Sequence, residues 1–258
     1  MPVDGLNALV SAERATLSYD TGEPALDAVS IDLPPGELVI LLGPNGGGKT
    51  TFFRALVGEL QPAAGRFSVD SAVAYLPQYD GSRVDFPVSA LDVVLMGTLS
   101  ERRFWQRAGR RDKQRALAAL ERVGLKESAG RTYGELSGGQ RRRVLLARTI
   151  VGGAQVIALD EPLAGVDPSS AEVIREALGA LRDEGRLVIE ASHDIEHARA
   201  ADRVICLNRR VVADGAPDEV LTDATLRETY AADLAVISDA DGRPLLATTD
   251  ACGHDHSH

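Results

Sequence analysis

The segment Gly43-Pro44-Asn45-Gly46-Gly47-Gly48-Lys49-Thr50 constrains this chain more than any other. It fits G-x-x-x-x-G-K-[ST], the pattern of a phosphate-cradling loop. Before it lies Val39-Ile40-Leu41-Leu42, a short apolar run between Gly36 and Gly43. Such a run reads as a buried parallel strand closed by a turn. After it, Thr50 to Glu59 reads as a helix with Phe52, Phe53, Leu56 and Leu60 on one apolar face. Glycines let successive backbone N–H groups point inward at phosphate oxygens, and the helix N-terminus adds partial positive charge. Lys49 is placed to reach the β- and γ-phosphates, and the Thr50 hydroxyl to ligate Mg²⁺. A plain glycine-rich turn would not require Lys-Thr at this spacing within a strand–loop–helix context.

The rest of the chain narrows the setting. Its 258 residues suffice for one large domain or two small ones, and a hydrophobic content of 44% is ample for a core. Two cysteines, Cys206 and Cys252, give no disulfide framework and fit a reducing compartment. The start Met1-Pro2-Val3-Asp4-Gly5 has neither the basic stretch nor the apolar stretch of a secretory signal. No apolar run approaches the roughly 20 residues that span a bilayer. A formal net charge of −10 argues against nucleic acid as a partner and against adhesion to anionic lipid. Work at a membrane would then require another protein to hold the chain there.

A second buried strand, Val156-Ile157-Ala158-Leu159, ends in Asp160-Glu161. An Asp at that place sits near the Mg²⁺ of a phosphate-binding loop, and the following Glu is positioned to polarise an attacking water. Downstream of the loop stands Leu136-Ser137-Gly138-Gly139-Gln140, followed by a helical pattern through Arg148 and Ile150. At a helix start the N-terminus attracts anions and paired glycines let a ligand's charge approach the backbone closely, with a plain helix cap as the competing reading. Arg141-Arg142-Arg143, next in line, reads as a solvated helix face.

Leu136–Gln140 reproduces LSGGQ, the signature of ATP-binding-cassette (ABC) transporters, and the chain resembles the nucleotide-binding subunit of that family from about Leu6 to Leu234. The resemblance implies an α/β fold: a P-loop (RecA-like) core sheet flanked by helices, an antiparallel β-layer, and a helical family-specific subdomain at about residues 86–152 inserted in the core. Residues 235–258 are left as a C-terminal hairpin and His-rich tail. The resemblance also implies a set of nucleotide contacts. These are Tyr19, stacking on adenine; Gly43, Pro44, Asn45, Gly46, Gly47, Gly48, Lys49, Thr50 and Thr51 around the phosphates; and Asp160. From the opposing subunit come Ser137, Gly138, Gly139 and Gln140. Gln78, in Tyr75-Leu76-Pro77-Gln78, senses Mg²⁺ and water; Thr50, Gln78 and Asp160 manage Mg²⁺. Asp167, in Ala164-Gly165-Val166-Asp167, crosses the dimer. Glu161, His193 and Lys49 are the catalytic expectations, with His193 contacting the γ-phosphate. One loop and one signature per chain imply two subunits, identical chains being expected, with two ATP molecules sandwiched head to tail. Gly47, Ala164-Gly165 and Ser192 depart from the commoner family residues, but none removes a charged or nucleophilic group.

The cargo is less plainly written. Asp85-Phe86-Pro87 through Asp92-Val93-Val94-Leu95-Met96-Gly97 resembles the branch that imports zinc and manganese in prokaryotes. From the residues alone, Ser89 caps a helix from Ala90 with Leu91, Val94 and Leu95 on one face. Arg102, Arg103, Arg107, Arg110 and Arg111 follow, read for the most part as a solvated basic face, with a place near the membrane or the partner as the alternative. In the tail, Cys252, His254, His256 and His258 offer donors that suit Zn²⁺ better than Mn²⁺. A solvated terminus with chance histidines competes with that reading. Ala235–Ser238, Asp241-Gly242 and Pro244–Leu246 read as a short hairpin. His193-Asp194-Ile195-Glu196-His197 also fits the inverted zinc-protease pattern H-x-x-E-H, yet no third ligand is evident; His197 is expected to be a surface or packing histidine.

The expectation is therefore a Mg²⁺-dependent ATPase at the cytoplasmic face of the membrane, held there by polytopic permease subunits and served by an extracytoplasmic metal-binding protein. It would power zinc import. The alternatives are a cassette for another cargo, such as manganese or iron–siderophore, or a non-transport cassette of cluster-assembly type. The interval between Lys49 and Leu136 is too short for the coiled-coil insert of the DNA-repair type.

Overall fold

The apolar run before the glycine-rich loop forms a strand buried along all five of its residues. It belongs to a computed structural model that describes residues 8–19, 22–78, 87–99 and 108–230, with the backbone of 234–238 and 244–248. The strands are β1 Val10–Leu17, β2 Leu26–Leu33, β3 Leu38–Leu42, β4 Ala64–Val69, β5 Val73–Leu76, β6 Val156–Asp160, β7 Leu187–Ser192, β8 Arg203–Leu207, β9 Val211–Gly215, β10 Leu234–Ser238 and β11 Pro244–Thr248. The helices are α1 Lys49–Leu56, α2 Ala90–Met96, α3 Arg110–Arg122, α4 Gly138–Ile150, α5 Pro168–Asp183, α6 Ile195–Arg199, α7 Pro217–Val220 and α8 Asp223–Tyr230.

Two units can be distinguished along the chain. The first comprises Met1–Val10, Leu33–Leu38 and Val69–Glu190; the second comprises Ser11–Asp32, Val39–Ser68 and Ala191–His258. In the first unit the strands run in the order β5-β6-β7, and β5 pairs with β6 in parallel from Val73↔Val156 to Leu76↔Leu159. Every residue of β6 is buried, as a parallel strand covered on both faces requires. Helices α2, α3 and α4 pack on one another, and α4 also packs on α5 and β5. Ser89 caps α2 as expected: its Oγ accepts from Asp92 N at 3.1 Å, and Asp92 Oδ2 accepts from Ser89 N at 3.1 Å.

In the second unit β3 pairs in parallel with β8, from Val39↔Arg203 to Leu42↔Cys206, and β8 pairs antiparallel with β9. A separate three-stranded sheet has the order β2-β1-β4. Its hydrogen bonds run antiparallel: Ala25 N donates to Leu17 O, and Ala63 N to Thr16 O. This is the antiparallel layer expected from the family resemblance. Helix α1 ends at Leu56, three residues before the periodicity suggests. Gly58, at φ 77°, stops it: Gly58 N donates to Ala55 O and Glu59 N to Arg54 O, the paired bonds of a Schellman ending. Strands β10 and β11 form the expected antiparallel hairpin, in register from Leu234↔Thr248 to Ser238↔Pro244.

Among the described residues, no helix is long and apolar enough to cross a membrane.

Candidate functional site

In the second unit the glycine-rich loop leads from β3 into α1 as the sequence predicts. Gly48 is the N-cap of α1 at φ 102°, and no side chain caps the helix. A Cβ at Gly48 would collide with the Leu26 side chain, so both conformation and space demand glycine there. The result is a helix start with N–H groups left for an anion. Lys49 is only 8% exposed, and its Nζ donates to Gly43 O at 2.5 Å and Pro44 O at 3.1 Å. The ammonium is thus held inside the curl of the loop, where a phosphate would gain most from it. Thr50 is exposed in the first turn, whereas Thr51 is buried. Tyr19 is half exposed at 51%; its hydroxyl lies 3.1 Å from Thr51 Oγ1, and the Arg54 guanidinium lies 5.4 Å from its ring centroid. One face of the ring is thereby backed by a cation.

His193 belongs to the same unit and is exposed, just after β7 and before α6. Asp194 caps α6, its Oδ1 accepting from His197 N at 3.1 Å. His197 is inside that helix and buried, so His193 and His197 do not share a helix face and the inverted zinc-protease geometry does not form. His197 is a packing histidine. Cys206 is buried in β8, and burial pushes its thiol up to about 11, far from thiolate chemistry.

In the first unit Asp160 closes β6 and is 3% exposed, with Tyr75 Oη donating to its Oδ2 at 3.4 Å. Glu161 leaves the strand at φ 50°, a left-handed conformation that costs a non-glycine residue on the order of 1 to 3 kcal/mol. Gln78 Nε2 donates to Glu161 Oε2 at 2.8 Å. The structure therefore brings together Gln78 and Glu161, two side chains 83 residues apart in sequence.

Ser137 caps α4 in a full capping box: Gln140 N donates to Ser137 Oγ at 3.2 Å and Ser137 N to Gln140 Oε1 at 3.0 Å. Gly139 is buried against the start of α5, where a Cβ would stand 2.5 Å from Asp167 Oδ2 and 2.7 Å from Ser170 Oγ. Only glycine lets the signature helix approach Asp167 this closely. Asp167 in turn caps α5, accepting from Ser169 Oγ at 2.6 Å and Ser170 N at 2.9 Å. These bonds, with one from the Ser170 hydroxyl, hold its carboxyl down at about 2. A lowered carboxyl pKa favours the native state above the unfolded value of roughly 3.9, and that contribution disappears as pH falls through about 2. A side-chain carbonyl NMR titration is expected to place the Asp167 midpoint near 2. A midpoint at the free-aspartate value would show that the cap does not persist in solution.

The arginine run after the signature corrects the sequence reading. Arg141, Arg142 and Arg143 are half-buried, not a solvated face. Arg143 Nη1 donates to Val123 O at 3.0 Å, and Arg142 donates to the backbone carbonyls of Pro77, Gln78, Asp160, Glu161 and Pro162. Periodicity would not reveal this, because the acceptors are main-chain oxygens of distant segments.

The zinc donors expected in the tail, Cys252, His254, His256 and His258, lie outside the described residues, as do Arg102, Arg103 and Arg107. Among the described residues no group of three or more His, Cys, Asp or Glu side chains is arranged to hold a metal ion.

Residues 26–164 match the family model described as ABC transporter. The chain is 37% identical to the manganese transport system ATP-binding protein MntA of Synechocystis sp., over 86% of this chain and 89% of that protein. It is also 37% identical to the zinc transport system ATP-binding protein TroB of Treponema pallidum, over 86% of each. Among solved structures it is similar to the ATP-binding cassette MJ0796 in a dimeric, post-hydrolysis state bound to ADP and Pi. That similarity has a TM-score of 0.69 and 26% identity, and covers 81% of this chain and 98% of that one. A glycine-cradled lysine, a strand-end Asp-Glu pair and a capped LSGGQ helix are the local structures such a match requires, and this chain belongs to the ABC transporter family as one of its ATP-hydrolysing cassettes.

Proposed function

We propose that this cassette hydrolyses ATP to drive import of a divalent transition metal, zinc, through separate membrane subunits. The observation that carries the reading is the 37% identity, over most of the chain, to ATP-binding proteins of manganese and zinc transport systems. Zinc is preferred to manganese because the tail offers imidazole and thiolate donors. Manganese is the second reading, carried by the Synechocystis relative. Import is supported by the resemblance of Asp85–Gly97 to the metal-import branch.

By the family resemblance Thr50, Gln78 and Asp160 would hold Mg²⁺, their hydroxyl, amide and carboxylate oxygens being the hard ligands that it prefers. Bound Mg·ATP brings the reacting γ-phosphoryl group and the charge of the cation. Around it, the loop from Gly43 to Thr51 cradles the phosphates, Lys49 and His193 stabilise charge on the γ-phosphate, and Tyr19 stacks on adenine. Glu161 orients the attacking water and draws on its proton, with Gln78 fixing the carboxylate. Ser137, Gly138, Gly139 and Gln140 grip the nucleotide of a second, identical subunit, and Asp167 crosses between the two. Residues 86–152 form the insert that meets polytopic membrane subunits, which hold the cassette at the cytoplasmic face. An extracytoplasmic metal-binding protein delivers the cargo.

The test is chromosomal replacement of Glu161→Gln in the source organism, in a background without other high-affinity zinc uptake, with total cellular zinc, manganese and iron measured under metal limitation. Zinc is expected to fall several-fold with the other two unchanged. A fall confined to manganese would transfer the cargo to the second reading, and unchanged levels of all three metals would sink metal import.

A further inference from the structure

We infer that Arg142 is a positioning residue for ATP hydrolysis, a guanidinium bracket that fixes the backbone of the Gln78 turn and of the Glu161 turn relative to the signature helix. The inference rests on the assignment of Glu161 to the attacking water.

Arg142 is the fifth residue of α4 and is half-buried. Its Nε donates to Pro162 O at 3.1 Å. Its Nη2 donates to Asp160 O at 3.1 Å and to Glu161 O at 2.9 Å. Its Nη1 faces Pro77 O at 3.3 Å and Gln78 O at 3.4 Å. One planar cation thus meets five main-chain carbonyls from two segments, the end of β6 and the exit from β5. Such carbonyls near a buried strand end need donors, and a fork of fixed N–H directions can serve several of them together.

The carbonyls it gathers flank the two residues whose side chains touch. Gln78 Nε2 reaches Glu161 Oε2 at 2.8 Å, and Arg142 binds the main-chain oxygen of both. Glu161 also holds a left-handed conformation, at φ 50°. A strained backbone persists only where its surroundings over-determine it, and here the Glu161 carbonyl receives both Arg142 Nη2 and Ala164 N, the latter at 3.2 Å. The base of the bracket is itself fixed, because the first turn of α4 is locked by the Ser137–Gln140 capping box. A displacement of the signature helix is therefore passed through one side chain to the carboxylate that meets water. Lysine would keep the charge but not the fork, so it cannot hold two segments in one plane.

The experiment uses the purified full chain and measures kcat, KM for Mg·ATP and the thermal midpoint for wild type, R142A, R142K and E161Q. For R142A the expected result is a kcat at least tenfold below wild type with KM within threefold and a folded protein, R142K recovering only part of the loss. A merely structural arginine would lower the thermal midpoint and leave kcat per folded molecule in place. A kcat within tenfold of wild type, or a loss shared by KM, overturns the inference. Should R142A fail to fold, R142K decides: a kcat threefold or more below wild type at unchanged KM supports the bracket, and a smaller loss overturns it. E161Q separates the two layers. If E161Q is inactive while R142A hydrolyses ATP normally, only the Arg142 inference falls; if E161Q hydrolyses ATP normally, the Glu161 assignment falls and takes the inference with it.

Discussion

Glu161→Gln is expected to lower ATP turnover about 1,000-fold while leaving nucleotide binding intact. The substitution is nearly isosteric, and the amide oxygen can still accept the bond that Gln78 Nε2 now gives to Oε2. What is lost is the negative charge and the basicity that orient a water and draw on its proton. The left-handed backbone at residue 161 and the carbonyl bonds from Arg142 do not depend on the carboxylate, so the turn keeps its shape. Phosphate release measured under single-turnover conditions reads the rate, and a fluorescent ATP analogue reads binding. A variant that trapped ATP in a long-lived dimer would fit the reading, because closure would no longer be followed by cleavage. Turnover within tenfold of wild type would remove Glu161 from the chemistry.

Lys49→Ala is expected to reduce kcat/KM about 100- to 1,000-fold. The Lys49 ammonium is almost buried in the loop and already oriented by Gly43 O and Pro44 O. It is a preorganised cation that needs no rearrangement to meet developing negative charge, and its value lies in being fixed where water is excluded. Truncation removes that charge and also leaves two loop carbonyls without the donor they now have. The defect should therefore appear in both affinity and turnover, unlike that of E161Q. Calorimetric titration of ATP beside the kinetic measurement separates the two contributions, and a kcat/KM within tenfold of wild type would refute the role.

Much of this arrangement is legible from the sequence because it is local. The loop from Gly43 to Thr50 carries its own strand, turn and helix start, and each follows from residues within a few positions of it. The Ser89 and Ser137 caps are equally local, since the partner stands three residues on. Where the sequence reading is incomplete, the cause is a tertiary contact or a backbone angle. The end of α1 is set by the left-handed Gly58, which the apolar spacing of Phe53, Leu56 and Leu60 overrides on paper. The turn at Glu161 is invisible to composition, since Asp-Glu-Pro gives no sign of a positive φ. Arg142 is the clearest case. Three successive arginines on a helix look solvated, and only the fold brings carbonyls of residues 77–78 and 160–162 to one of them. The sequence marks Gly139 for phosphate chemistry, while its approach to Asp167 and Ser170 is a packing demand that a one-dimensional pattern does not carry.

The proposed coupling of ATP hydrolysis to zinc movement can be read in vesicles. Right-side-out membrane vesicles from the source organism, loaded with ATP and an ATP-regenerating system, would be given radioactive zinc together with the periplasmic or extracellular fraction. Accumulation is expected to require internal ATP, to vanish in vesicles carrying E161Q, and to be unaffected by excess manganese. Zinc accumulation that proceeds equally without ATP, or equally with E161Q, would contradict the account.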